Sequence, residues 1–261
     1  MAFETVKVET DARGVATLTL SREDKHNAMS AAMIAELTEA AQSLGADPAV
    51  RVVVLTGAGR SFCAGGDLEW MRAQMAADGA TRAVEARKLA DMLGALDRMP
   101  KPLIGRVQGQ AFGGGVGLMS ICDVTVGVAG AKFGLTEVRL GLIPATIGPY
   151  VVARMGAARA RQVFFSGRVF DAEEAVALGL LARIVAPDAL DAAVEAEIAP
   201  YLAAAPGAVA AGKDLVAALG ETTMDMHIDA TVQALVARWE DPESTAGIEA
   251  FFSKKPPPWA P

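Results

Sequence analysis

Cysteine, histidine and aromatic residues are scarce in this chain of 261 residues, and each shortage removes a class of chemistry. The two cysteines, Cys63 and Cys122, and the two histidines, His26 and His227, show no ligand-like spacing, so no metal site and no disulfide framework is expected. Both thiols sit in apolar surroundings and read as small core residues in a reducing compartment. Long hydrophobic runs are missing as well: 52% of residues are hydrophobic, yet no stretch approaches the roughly eighteen uninterrupted apolar residues of a membrane span. The segment Met1–Lys7 has neither a basic stretch nor an apolar one of the signal-peptide kind, so a cytoplasmic protein is expected. Positive charge is in deficit, with 24 Lys and Arg against 31 Asp and Glu, which argues against a nucleic-acid partner. The candidate first helix agrees, because Met29 to Leu44 carries Glu36 and Glu39 and no Lys or Arg to meet phosphates. No G-x-G-x-x-G follows the first strand, so the dinucleotide-binding signature is absent too.

Glycine, by contrast, is concentrated where it can do chemistry. Phe112-Gly113-Gly114-Gly115-Val116-Gly117-Leu118 stands between a strand-like stretch, Leu103 to Gln108, and the apolar Leu118 to Cys122. Adjacent glycines let backbone N–H groups approach an acceptor that a side chain would hold away. A helix starting at the last glycines would aim its unpaired N–H groups at that acceptor, and charge developing there during a reaction would be stabilised. A plain strand-to-helix turn is the simpler reading. Ser61-Phe62-Cys63-Ala64-Gly65-Gly66-Asp67-Leu68 weighs against it, since this second glycine loop also follows an apolar strand, Val50 to Thr56, and leads into a helical pattern at Leu68 to Met71. Two such corners could offer one N–H each to a single oxygen. Asp67 is then a helix cap.

Elsewhere strand and helix patterns alternate. Gly14 to Leu20 alternates as a half-buried strand, and Asp123 to Val128 is a further strand. Ser30 caps a helix with Met33, Ile34, Leu37, Ala41 and Leu44 on one face, and a second helix from about Thr81 to Leu96 turns Val84, Leu89, Met92, Leu93 and Leu96 inward. From about Asp188 the pattern is helical only, with breaks near Pro206-Gly207, Gly220 and Pro242. By itself the alternation predicts an α/β protein with a doubly wound parallel sheet. Glu137 lies amid mostly apolar neighbours between Phe133 and Tyr150, where burial would raise its pKa towards the range of a general acid or base; a surface pair with Arg139 is the alternative.

These loops resemble the enoyl-CoA hydratase/isomerase, or crotonase, superfamily through nearly the whole chain. The resemblance implies a spiral of strand-strand-helix units over residues 1–190 and a C-terminal helical region over 191–261 that joins subunits into homotrimers or dimers of trimers. It makes Gly66 and Gly114 the two donors to a thioester oxygen and places Glu137 beside C3 of the acyl group. Hydratases with two carboxylates carry the second acid where this chain has Gly117. Glu137 alone could still activate water and return a proton to C2, or shuttle a proton between C4 and C2 as a Δ3,Δ2-enoyl-CoA isomerase; an inactive scaffold is the third possibility. Residues 67–71, 113–118 and 135–145 resemble the bacterial branch containing 3-methylglutaconyl-CoA hydratases, whose distal carboxylate would want a cation from among Arg72, Arg82, Arg87 and Arg139. Coenzyme A is expected only as part of the substrate, with no other cofactor. It would meet Lys25 and Ala28 in Lys25-His26-Asn27-Ala28-Met29, the stretch Ala64, Gly66, Asp67 and Leu68, and the closing segment with Phe251 and Lys254.

Overall fold

The sequence folds as repeats in which a long apolar strand, a strand of about three residues and a helix follow one another. The structure, a computed structural model, describes residues 3–221, 242, 243, 246, 250 and 253–258. The chain opens with the antiparallel hairpin β1 (Val6–Thr10) and β2 (Val15–Leu20), then α1 (Ala31–Ala46). The first full unit is β3 (Val52–Gly57), β4 (Ser61–Cys63), α2 (Leu68–Ala76) and α3 (Gly79–Asp97). The second is β5 (Leu103–Val107), β6 (Gln110–Phe112) and α4 (Gly114–Ser120). The third is β7 (Val124–Val128), β8 (Lys132–Gly134), a 3-10 turn over Glu137–Leu140, α5 (Gly148–Met155) and α6 (Ala157–Phe164). The chain continues through β9 (Val169–Asp171), α7 (Ala172–Ala177), β10 (Arg183–Val185), α8 (Leu190–Leu202) and α9 (Pro206–Glu221).

Each unit sends its first strand to one sheet and its second to another. The large sheet runs β1-β2-β3-β5-β7-β10 and the small one β4-β6-β8-β9, with antiparallel pairing only at β1/β2 and β8/β9. A single doubly wound sheet is therefore corrected to the two-sheet spiral: strands of three residues are too short for a period-2 signal to register. β3 is buried along its whole length, as expected of a strand covered on both faces.

The expected helices form, with shifted margins. Ser30 Oγ accepts the Met33 N–H at the start of α1, which buries Met33, Ile34, Leu37, Ala40, Ala41 and Leu44. α3 begins two residues early because Asp78 caps it through the Thr81 N–H, and Val84 is 56% exposed rather than inward. The break expected near Pro206-Gly207 falls at residues 203–205, ahead of Pro206, Gly220 lies inside α9, and Pro242 is helical with residue 241 before it outside the described residues. Cys63 and Cys122 are both buried. Among the described residues no single helix is long and apolar enough to cross a membrane.

Candidate active site

Parallel pairing of β4 with β6 brings the two glycine corners together at the ends of those strands. Gly65, at φ +96°, and Gly113, at φ +50°, both hold conformations that L side chains rarely adopt. A Cβ on Gly65 would lie 3.0 Å from the Phe112 carbonyl oxygen and 3.7 Å from the Gly114 nitrogen, so the corners touch. A Cβ on Gly115 would come within 2.3 Å of the Cys63 carbonyl oxygen, which is why the third glycine of the run must also lack a side chain. Gly114 is the first residue of α4, and the Met29 methyl lies 2.0 Å from where its Cβ would stand. Among the described residues neither the Gly66 nor the Gly114 N–H meets a protein acceptor.

Glu137 stands against these corners. Its Oε1 lies 3.0 Å from the Cβ position of Gly113, and its Oε2 is buried with no hydrogen-bond partner. Burial raises its pKa above the usual carboxylate value, only partly opposed by a backbone hydrogen bond within the residue itself. Glu137 opens a 3-10 turn, with Leu142 N–H donating to its carbonyl at 3.1 Å. In a strand, residues two apart share a face, so only the turn separates Glu137 from Arg139, whose side chain packs at Gly167. At Gly117, one turn into α4, a Cβ would meet Ile147 Cγ2 at 2.4 Å, so Ile147 fills the place a second acid would need.

The segment expected to meet adenine and phosphate is shaped by two consecutive left-handed residues, His26 at φ 51° and Asn27 at φ 56°. Such backbone costs about 1–2 kcal/mol per residue. The buried Asn27 amide offsets it by donating to Ala58 O at 2.9 Å and Ser61 O at 2.8 Å while accepting from Arg22 N–H. Met29 then pairs with Gly66 as an isolated bridge, the Met29 N–H donating to Gly65 O and the Asp67 N–H to Met29 O. Asp67 Oδ1 accepts from the Glu69 and Trp70 N–H groups and so caps α2, and Oδ2 pairs with Arg22 Nη2 at 2.8 Å. Burial alone would push the Asp67 carboxyl up, but Arg22 and the two N–H groups outweigh it and hold it below its usual value. Arg22 also donates through Nη1 to Ala28 O at 2.5 Å, tying the segment to the corner.

Of the remaining expected contacts, Lys25 and Lys254 are exposed, Ala28 is buried, Ala64 is half-buried with its N–H given to His26 O, and Leu68 is 71% exposed. Phe251 and His227 lie outside the described residues. Arg82 donates to the Gln74 and Met75 carbonyls that end α2, Arg87 forms an exposed pair with Asp91, and Arg72 is exposed. Arg22, Met29 and Ile147 take part here without having been anticipated. Their neighbours at Asp67, Gly114 and Gly117 are remote in sequence, and a lone Arg, Met or Ile carries no local signal of such contacts.

Residues 10–261 match the sequence profile described as enoyl-CoA hydratase/isomerase. The chain belongs to that family. A Rhizobium meliloti protein named as a probable enoyl-CoA hydratase is 39% identical over 194 residues, covering 73% of this chain and 72% of its own length. The crystal structure of an enoyl-CoA hydratase from Shewanella pealeana superposes with a TM-score of 0.95 at 35% identity, covering 98% of this chain and 96% of that one. One from Mycobacterium smegmatis gives 0.92 at 35% identity, over 98% and 99%. The fold is that of the family, and within it the two glycine corners lie together with the half-buried Glu137.

Proposed function

We propose that this chain hydrates 2-enoyl thioesters of coenzyme A with Glu137 as its single acid-base group. The observation that carries the reading is the buried, partnerless Oε2 of Glu137 beside two touching glycine corners whose Gly66 and Gly114 N–H groups have no protein acceptor. Ionised Glu137 takes a proton from water, the water oxygen bonds to C3, and the double-bond electrons move through C2 onto the thioester oxygen. The two amides hold that oxyanion more tightly than the neutral carbonyl, which lowers the barrier. Glu137 then returns its proton to C2 and the thioester carbonyl re-forms, leaving a 3-hydroxyacyl thioester and a free carboxylate.

The finer reading is 3-methylglutaconyl-CoA as the substrate, in leucine degradation. It rests on the segments 67–71, 113–118 and 135–145, with Arg72, Arg82, Arg87 and Arg139 as the candidates to meet the distal carboxylate. We extend the proposal to the organisation of the chain: residues 1–190 as the core carrying the site, 191–261 as the region through which trimers, single or paired, assemble, with coenzyme A arriving on the substrate, no other cofactor, and a cytoplasmic setting.

Purified protein offered 2-enoyl-CoA and 3-enoyl-CoA thioesters, 3-methylglutaconyl-CoA among them, tests this by product mass. Gain of one water on 2-enoyl substrates supports the reading. A migrated double bond at unchanged mass makes the chain an isomerase, and no turnover makes it a scaffold. Glu137→Gln should lower turnover by about 10²–10⁴-fold with acyl-CoA affinity nearly unchanged. Because the base must be ionised and burial raises its pKa, kcat/KM should rise with pH along a limb lying above the roughly 4.3 of an ordinary Glu.

A further inference from the structure

Glu137 and Ile147 lean on successive turns of the same helix. Glu137 Oε1 approaches the Cβ position of Gly113 at 3.0 Å, and Ile147 Cγ2 approaches that of Gly117 at 2.4 Å. Those two glycines are four apart and joined by the Gly117 N–H donating to Gly113 O at 3.2 Å, so one turn, about 5.4 Å, separates the two contacts along α4. Ile147 is 3% exposed and is fixed by its own carbonyl, which accepts the Val151 N–H at 3.0 Å as α5 begins. Leu93 Cδ2 closes the same spot at 3.9 Å from the Gly117 Cβ position. Ile147 and Leu93 therefore occupy the space over α4 one turn beyond the spot that Glu137 touches.

We propose that Ile147 is a specificity-determining residue: it holds the volume above Gly117 and presents a rigid apolar wall that limits the bulk an acyl group can carry beside its reacting carbons. This rests on the hydratase reading for the identity of the ligand, and it favours unbranched 2-enoyl groups over the C3-methylated acyl group of 3-methylglutaconyl-CoA, so the same test decides against one of those two readings. The position follows from packing alone. A β-branched side chain buried at a helix start has few rotamers, so the wall cannot swing aside for a larger substituent. A pocket that gains or loses a methylene typically changes discrimination by about 10–200-fold.

The test compares wild type, Ile147→Ala, Gly117→Ala and the double variant. Calorimetry with the saturated thioesters butanoyl-CoA and 3-methylbutanoyl-CoA reads the wall whether or not the protein turns over, and hydration assays run in parallel. Ile147→Ala should move the affinity ratio towards the branched ligand by about tenfold or more. Gly117→Ala should lower the melting temperature in the wild-type background and do so much less when Ile147 is already Ala, because the added Cβ then has room. A branched-to-straight affinity ratio unchanged within twofold in Ile147→Ala would overturn the proposal and leave Ile147 as core packing. Equal melting losses for Gly117→Ala in both backgrounds would overturn it too, since the two residues would not share the space. Failure of every protein to add water, with the affinity ratio shifted as expected, would reject the hydratase reading and leave the wall in place.

Discussion

Replacing Asp67 tests whether the first glycine corner is held by its own helix cap. Asp67→Asn keeps an oxygen for the Glu69 and Trp70 N–H groups but removes the charge that Arg22 meets at 2.8 Å. Both side chains are largely covered, 18% exposed for Arg22 and 6% for Asp67, so a charge-assisted bond worth about 1.5–3 kcal/mol is lost. Asp67→Ala also removes the cap, at about 1 kcal/mol, giving a total near 2.5–4 kcal/mol, which overlaps the range for breaking one partner of a buried pair. At about 2–4 °C per kcal/mol for a chain of this size, Asp67→Ala should lower the melting temperature by roughly 5–16 °C, with Asp67→Asn in between. The sign with pH follows from the lowered pKa. The unfolded Asp titrates near 3.9, so this stabilisation is complete above about pH 4 and fades as pH falls through the lower folded value. Since the Gly66 amide directly precedes the cap, loosening it should cost kcat about tenfold to hundredfold. Urea unfolding at pH 7 and initial rates would decide. An Asp67→Ala protein within 0.5 kcal/mol of wild type, as a rough margin for an inconsequential surface change, would refute the reasoning.

Two alanine substitutions at helical glycines should have opposite signs. Gly115→Ala puts a Cβ 2.3 Å from the Cys63 carbonyl oxygen and should destabilise by about 1–3 kcal/mol, while Gly212→Ala in α9, with nothing within 4 Å, should stabilise by about 0.5–1 kcal/mol, both read by urea unfolding. Burial pushes the thiols of Cys63 and Cys122 up to about 12, so a thiol reagent at pH 8 should label neither until the protein is unfolded. Lys213 pins α9 to the core through Asp123 Oδ2 at 2.9 Å and the Lys101 carbonyl at 3.2 Å; Lys213→Met should cost about 1–3 kcal/mol and speed protease cleavage at residues 203–205.

What could be read from the sequence was local. Ser30 and Asp67 announce helix starts because a cap acts over two or three residues, and β3 announces itself by the apolar run Val52 to Leu55. Glu137 stood out as one carboxylate in an apolar stretch. The 3-10 turn around it did not, because nothing in Thr136-Glu137-Val138-Arg139 prefers that turn over a strand. The small sheet was hidden for the same reason of scale: Ser61–Cys63, Gln110–Phe112 and Lys132–Gly134 are each shorter than two full alternations. Arg22 and Ile147 were hidden because their partners are distant in sequence, and only folding brings them into contact.

The register of one strand pair sets where these particular glycines lie relative to one another. β4 and β6 pair Ser61 with Gln110 but Cys63 with Ala111, so two steps along β4 answer one step along β6. Counting on from Cys63 and Ala111, Gly65 comes level with Gly113 and Gly66 with Gly114. Without the extra residue in β4, Ser61 and Gln110 count on to bring Gly65, not Gly66, level with Gly114. A bulge of one residue thus sets how far β4 runs relative to β6 before the two corners begin, where Gly65 comes against Phe112 and Gly114. The β6/β8 pairing, Phe112 with Gly134, sets the third member in the same way by bringing the chain that leads to Glu137 alongside Gly113. Two neighbouring pairings in a four-stranded sheet therefore place both glycine corners and Glu137, and a slip in either would misplace one of them relative to the other two.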